Sequence, residues 1–178
     1  MKERNEINTR DYITFIMKVI FREAKLHDLQ GMKHINERCL PENYPMSFWQ
    51  TTWESNKDRS FVAVCSNIVV GYILCNQDYV VSFAVDAPYR KSGIGRNLLR
   101  QALNACASKA TEIKLNVRET NVGAISLYKS HGFEETIVIA DYYVNPKENA
   151  IEMTKCIGPN HDKYQTVLKI IYRTKTEE

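Results

Sequence analysis

The sequence predicts an α/β (α+β) domain, a mixed, mostly antiparallel twisted sheet of about seven strands flanked by about four helices. Three observations predict it. Short runs alternate apolar and polar residues, longer runs repeat apolar residues every three to four positions, and their order along the chain is β-α-α-β-β-β-α-β-α-β-β. A whole helical run separates the strands at 79–85 and 112–117, and such a crossover makes its two strands parallel neighbours.

Residues 1–16 start polar and carry no period, so they read as an extension, with the domain at 17–156 and a tail at 157–178. From Lys18 to Ala24 the alternation is that of a strand. Asp28 then stands where it can cap a helix with Leu29, Met32, Ile35 and Leu40 on its apolar face. Pro41 and Pro45 stop that helix and start a second near Ser47, which carries Phe48, Trp49 and Trp53. Ser60–Ser66 and Ile68–Asn76 read as a hairpin turning at Asn67, with a bulge at Gly71.

Tyr79–Val85 has the continuous apolar character of a strand covered on both faces, and Pro88 ends it. Ile94, Leu98, Leu99, Ala102, Leu103 and Cys106 then form the stripe of an amphipathic helix. Glu112–Val117 alternates cleanly. Asn121 caps a helix that Gly132 stops, and Phe133–Tyr143 with Ala150–Cys156 form a last hairpin around Asn145-Pro146.

Composition narrows the function. A 44% hydrophobic and 25% charged chain is globular, and a net charge of +3 without a basic run argues against nucleic acid as the main ligand. The apolar run at 13–21 is interrupted by Lys18 and too short to span a bilayer. Five scattered cysteines form neither a CxxC pair nor a disulfide framework, which indicates a reducing, cytoplasmic or nuclear setting. His27, His34, His131 and His161 lack metal-ligand spacing, so no metal is expected.

The chemical signal lies after Tyr79–Val85. Arg90-Lys91-Ser92-Gly93-Ile94-Gly95-Arg96 opens the next helix on glycines, leaving unpaired N–H groups and the positive end of the helix dipole free for an anion. A P-loop would need Gly-Lys-Ser/Thr where Gly95-Arg96-Asn97 stands, and a dinucleotide fingerprint would need glycine at Leu98. Both fail. The pattern R-x-x-G-x-G resembles the coenzyme A pyrophosphate signature of the GNAT acetyltransferase superfamily, and Asn121, Ala124, Leu127, Tyr128, Gly132 and Phe133 downstream resemble its N-x-x-A-x-x-L-Y-x-x-x-G-F motif.

The resemblance covers roughly residues 17–155 and implies the GNAT fold, with the parallel strand pair splayed where acetyl-CoA enters. Leu40-Pro41-Glu42-Asn43-Tyr44 and Tyr142-Tyr143 with Glu148-Asn149-Ala150 are similar to substrate segments of protein N-alpha-acetyltransferase catalytic subunits; the 117–132 spacing also resembles ribosomal-protein alanine acetyltransferases. The implied acceptor is the α-amine of a protein or peptide N-terminus, attacked directly through a tetrahedral intermediate. A GNAT enzyme for a small amine, or a weakly active acyl-CoA-binding subunit that needs an auxiliary partner, are the alternatives.

Residue by residue, the resemblance implies cofactor contacts from Phe83, Ala84, Val85, Arg90, Lys91, Ser92, Gly93, Ile94, Gly95, Arg96, Asn121 and Tyr128. It implies substrate contacts from Pro41, Glu42, Tyr44, Asn116, Tyr142 and Tyr143. Tyr128 is the expected general acid, since a phenol can donate to a leaving thiolate. Asn116 stands where related enzymes often carry His or Glu, and Asn accepts no proton at physiological pH, so Tyr79 through a water, then Glu42, are the expected bases. An α-amine with pKa near 8 is roughly a tenth neutral at pH 7, which eases the demand on that base.

Overall fold

The computed structural model describes residues 18–157; what was expected of the N-terminal extension and of the tail from Gly158 onward lies outside them. Seven strands form one sheet in the order β1-β2-β3-β4-β5-β7-β6: β1 Val19–Glu23, β2 Phe61–Cys65, β3 Ile68–Asn76, β4 Tyr79–Val85, β5 Glu112–Arg118, β6 Glu134–Val144 and β7 Lys147–Cys156. Four α-helices connect them: α1 Leu29–Cys39, α2 Met46–Ser55, α3 Ile94–Cys106 and α4 Val122–Lys129. Among the described strands only β4 and β5 run parallel, as the intervening α3 requires.

The helices divide between the two faces of the sheet. On one face α3 and α4 bury Leu98, Leu99, Ala102, Cys106 and Tyr128 against Ile73, Ile113, Leu115 and Met153. On the other, Leu29, Met32 and Ile35 of α1 with Trp49 and Trp53 of α2 cover Val62, Tyr72, Leu74 and Ala84 of β2–β4. That second layer stops at β4. Beyond it the alternating residues of β5 and β7 on the same face, Lys114, Asn116, Arg118, Glu148, Glu152 and Thr154, are polar and only partly covered, with Ala150 the buried apolar exception.

Several local expectations are corrected. Asp28 does not cap α1: a 3-10 turn at Leu26–Asp28 precedes the helix, and the buried Asp28 carboxylate turns back to accept from Lys25 N–H at 2.7 Å and from Arg22 at 2.5 and 2.9 Å. Burial disfavours its charge, but Arg22 and the Lys25 amide prevail and hold its pKa below the usual range. Leu40 lies just past α1, half-buried. Cys65, Cys75 and Cys106 are core residues, whereas Cys156 is exposed.

β4 is not covered on both faces. Val80, Ser82 and Ala84 are buried, while Tyr79, Val81, Phe83 and Val85 are partly open. Its register to β3 passes from Leu74↔Ser82 to Cys75↔Val80, so Val81 is an extra residue and the strand changes which face each side chain serves. The bulge foreseen at Gly71 is found beside it, between the pairs Ala63↔Gly71 and Val64↔Val69. A Cβ at Gly71 would approach Ile94 and Leu98 at 3.1 and 3.2 Å, so glycine also lets α3 settle on the sheet.

Candidate active site

β4 and β5 part almost as soon as they meet. Their register holds one pair, Tyr79↔Lys114, with Lys114 N–H donating to Asp78 C=O at 2.8 Å. Toward Val85 and Arg118 the strands diverge, leaving main-chain groups of β4 unpaired on that edge.

On the α3/α4 side of this gap, helix ends face the opening. Gly93 is the N-cap of α3 at φ +85°, and the first intrahelical bond runs from Asn97 N–H to Gly93 C=O at 3.1 Å, so the N–H groups before Asn97 have no helical acceptor. A Cβ at Gly93 would meet nothing within 4 Å; one at Gly95 would make ordinary contacts with Leu127 and Phe83, both at 3.5 Å. Packing therefore does not demand glycine at 95, whereas the left-handed backbone favours it at 93.

Around the turn, Lys91, Ser92 and Arg96 are exposed and Ile94 is buried, leaving Ile94 only its main chain for a ligand. Arg90 Nε donates to Val85 C=O at 2.9 Å and ties the turn to the end of β4. Ser92 Oγ donates to Tyr89 C=O at 2.5 Å. Phe83 and Val85 pack toward α3 and α4, while Ala84 points into the opposite layer.

Asn121 Oδ1 accepts from Ala124 N–H at 3.2 Å and so caps α4. Gly132, at φ +80°, closes the helix as Phe133 N–H reaches Tyr128 C=O at 3.1 Å. Tyr128 is 7% exposed, with Phe83 and Phe133 rings at 6.3 and 5.7 Å. Burial pushes its phenol well above the ordinary value, so it keeps its proton at neutral pH.

The other side of the gap is built from side chains. Tyr44 stacks on Phe48 at 4.4 Å, and Tyr142 meets Tyr143 edge-on at 5.0 Å. Burial, then the neighbouring Tyr142 and Tyr143 and next Glu152, raise the Tyr79 phenol. Tyr143 is raised by burial and then by Glu42. Asn116 lies on the same face of β5 as Lys114 and Arg118, its Oδ1 buried without a donor. Pro41 is exposed at the mouth.

Arg118, which sequence reasoning passed over, braces this mouth. Its guanidinium donates to Glu42 at 2.5 Å, to Glu148 at 2.9 Å and to Pro146 C=O at 3.0 Å, and it lies 4.1 Å from the centre of the Tyr143 ring. One side chain thus joins the α1–α2 loop to the β6–β7 hairpin. Burial works against its charge, but Glu148 and Glu42 outweigh it. Glu148 is held below the usual carboxylate range first by Thr120 N–H, then by the Thr120 hydroxyl and Arg118. Asn149 accepts from Asp141 N–H at 3.1 Å and donates to Glu119 at 3.2 Å.

The geometry has counterparts among known proteins. Residues 29–133 match the Acetyltransferase (GNAT) family. An N-alpha-acetyltransferase of Sulfolobus acidocaldarius is 34% identical over 145 residues, 71% of this chain and 86% of that relative. Among solved structures, Ard1 from Thermoplasma volcanium superposes with a TM-score of 0.73 at 26% identity, covering 78% of this chain and 97% of that one. Arabidopsis thaliana Naa50, in complex with the bisubstrate analogue CoA-Ac-MVNAL, gives a TM-score of 0.70 at 30% identity over 77% of this chain and 97% of that one.

Proposed function

Because this chain belongs to the GNAT acetyltransferase family, we propose that it is an acetyl-CoA-dependent N-acetyltransferase acting on the α-amino group of protein and peptide N-termini. The observation that carries the reading is the β4–β5 pair, bonded at Tyr79↔Lys114 and then open, with an anion-binding helix end on one side and a tyrosine-lined mouth on the other. The relatives named N-alpha-acetyltransferase and the peptide portion of the Naa50 analogue support an N-terminal acceptor.

The residues present fit acetyl-CoA. The cradle at Gly93 stands open, and the unpaired N–H groups from Gly93 to Arg96, with Lys91 and Arg96 beside them, suit a diphosphate. Main chain of Phe83–Val85 suits the pantetheine and thioester portion. When bound, acetyl-CoA supplies an acetyl group activated as a thioester. Tyr128 is the donor to the departing sulfur in this reading, and its raised pKa, above a thiol's value of about 8.5, makes hydrogen-bond donation as important as full proton transfer.

Across the gap, Tyr44, Tyr142 and Tyr143 enclose the first residues of the acceptor, and Tyr79 and Asn116 face its amine. Glu42, considered as a base, serves better as an anchor because Arg118 holds it. A cytoplasmic setting fits five free cysteines; among the described residues no helix is long and apolar enough to cross a membrane. An auxiliary subunit remains part of the proposal, with Ile137 and Val138 exposed on the edge strand β6 as apolar surface for it. A peptide array with labelled acetyl-CoA tests the reading: α-acetylation that depends on the first residues is expected. Acetylation of polyamines or aminoglycosides but of no peptide would overturn it.

A further inference from the structure

The acceptor side raises a question about protons. An N-terminal ammonium must lose one to become a nucleophile. Glu42 is committed to Arg118, whose side chain is 12% exposed, so protonating Glu42 would strip a half-enclosed cation of a partner. The Tyr79 phenol is raised by burial and holds its own proton. Asn116 is an amide.

The neighbouring strand supplies a carboxylate. In the antiparallel β5–β7 ladder Asn116 and Glu152 are direct register partners, so their side chains leave the same face about 5 Å apart at Cβ. Among the described residues, Glu42 and Glu148 are paired with Arg118 and Glu112 with Lys114, whereas Glu152 has no cation partner. Among the described residues its Oε1 accepts only from the Thr136 hydroxyl at 3.2 Å, which orients the carboxylate, and its other oxygen has no partner. Its register, one alternate position along β7 from Thr154, the partner of Lys114, sets it near the closed end of the strand gap at Tyr79↔Lys114.

We propose that Glu152 is the proton acceptor for the substrate amine, filling from β7 the role that Asn116 cannot perform on β5, while the unpartnered Asn116 Oδ1 accepts a hydrogen bond that orients the amine. This rests on the reading of the acceptor as an N-terminal α-amine. One N–H bond of the ammonium breaks, its electron pair stays on nitrogen, and the proton passes to Glu152 directly or through one water. That pair then bonds the acetyl carbon while the carbonyl π pair moves to oxygen, and the bond to sulfur breaks as the carbonyl re-forms. The sulfur takes a proton from Tyr128, and the second N–H proton restores the phenol. Ammonium and thioester thus become amide and thiol, with one net proton leaving by way of Glu152.

The test compares the full chain with Glu152→Gln, which keeps size and the contact to Thr136, using a short peptide and acetyl-CoA. Expected is a fall in kcat of about 100-fold near neutral pH that shrinks as pH rises past the amine's value of about 8, with acetyl-CoA affinity by calorimetry unchanged. Adding Asn116→Glu to that variant moves the carboxylate across the ladder and is expected to restore about tenfold. A kcat within about threefold of the parent, or an equal loss at every pH, overturns the proposal. Should Glu152→Gln lose acetyl-CoA binding, Glu152→Asp carries the test: a parent-like pH profile at lower kcat is expected, and a profile that climbs with free amine overturns it. If the parent acetylates only small amines, the functional reading fails while the same comparison on that amine still decides the role of Glu152.

Discussion

The α3/α4 side of the strand gap and the tyrosine-lined side do different work with different materials. On the first, the groups proposed to face acetyl-CoA are backbone N–H at the start of α3 and apolar rings, Phe83 and Tyr128, fixed by a continuous core. On the second, the proposed acceptor site rests on side chains gathered from distant segments, as when Arg118 reaches across 76 positions of sequence to Glu42. A cofactor shared by many reactions is suited to main chain, which tolerates side-chain change. An acceptor that must be selected is suited to side chains, which can vary from one enzyme to the next.

Breaking the first side should abolish the chemical step or the cofactor's grip while leaving peptide recognition intact. Tyr128→Phe removes only the hydroxyl, and kcat is expected to fall by about 100-fold with acetyl-CoA affinity nearly unchanged; equal activity would remove Tyr128 from the chemistry. Gly93→Val forces a branched side chain onto a φ of +85° and is expected to weaken acetyl-CoA binding by tenfold or more, on the order of 1.4 kcal/mol, measured by calorimetry. Gly95→Ala sharpens the point. Its Cβ finds ordinary contacts at 3.5 Å, so Tm should hold or rise while acetyl-CoA binding weakens by a few-fold; no change in affinity would mean that the ligand does not approach this turn closely.

On the second side the effects should be smaller and confined to the peptide. Arg118→Met removes the brace between the α1–α2 loop and the β6–β7 hairpin, and peptide KM is expected to rise about tenfold with acetyl-CoA affinity unaltered. The brace also predicts a pH dependence. Glu148 titrates lower in the folded chain than its ordinary value of 4.5, so its stabilising contribution is complete above that value and disappears as pH falls through the lowered folded value. Thermal melts of the parent should lose Tm in that acid window more steeply than those of Glu148→Gln.

The contrast between the sides also explains what the sequence disclosed. Helix α3 was legible because Gly93, Gly95 and the stripe from Ile94 to Cys106 are local signals, and Asn121 and Gly132 mark both ends of α4. The parallel pair followed from the length of the connection alone. Arg118 carries no local signal: it is one more residue in an alternating strand, and its role exists only because two loops converge on it. Asp28 misled for the same reason, since a carboxylate placed to cap a helix found a stronger partner in Arg22. The covered appearance of Tyr79–Val85 reflected apolar composition, whereas the extra residue at Val81 and the missing second layer beyond β4 leave alternate side chains open to ligands.

Amide hydrogen exchange of the full chain with acetyl-CoA added, and no peptide present, tests the division of labour most directly. The two-sided account predicts slowed exchange at Gly93–Arg96 and along Phe83–Val85, with Glu42–Tyr44 and the hairpin from Tyr142 to Glu148 unchanged. Protection that appears on that hairpin and is lacking at Gly93–Arg96 would place the cofactor on the wrong side of the sheet and contradict it.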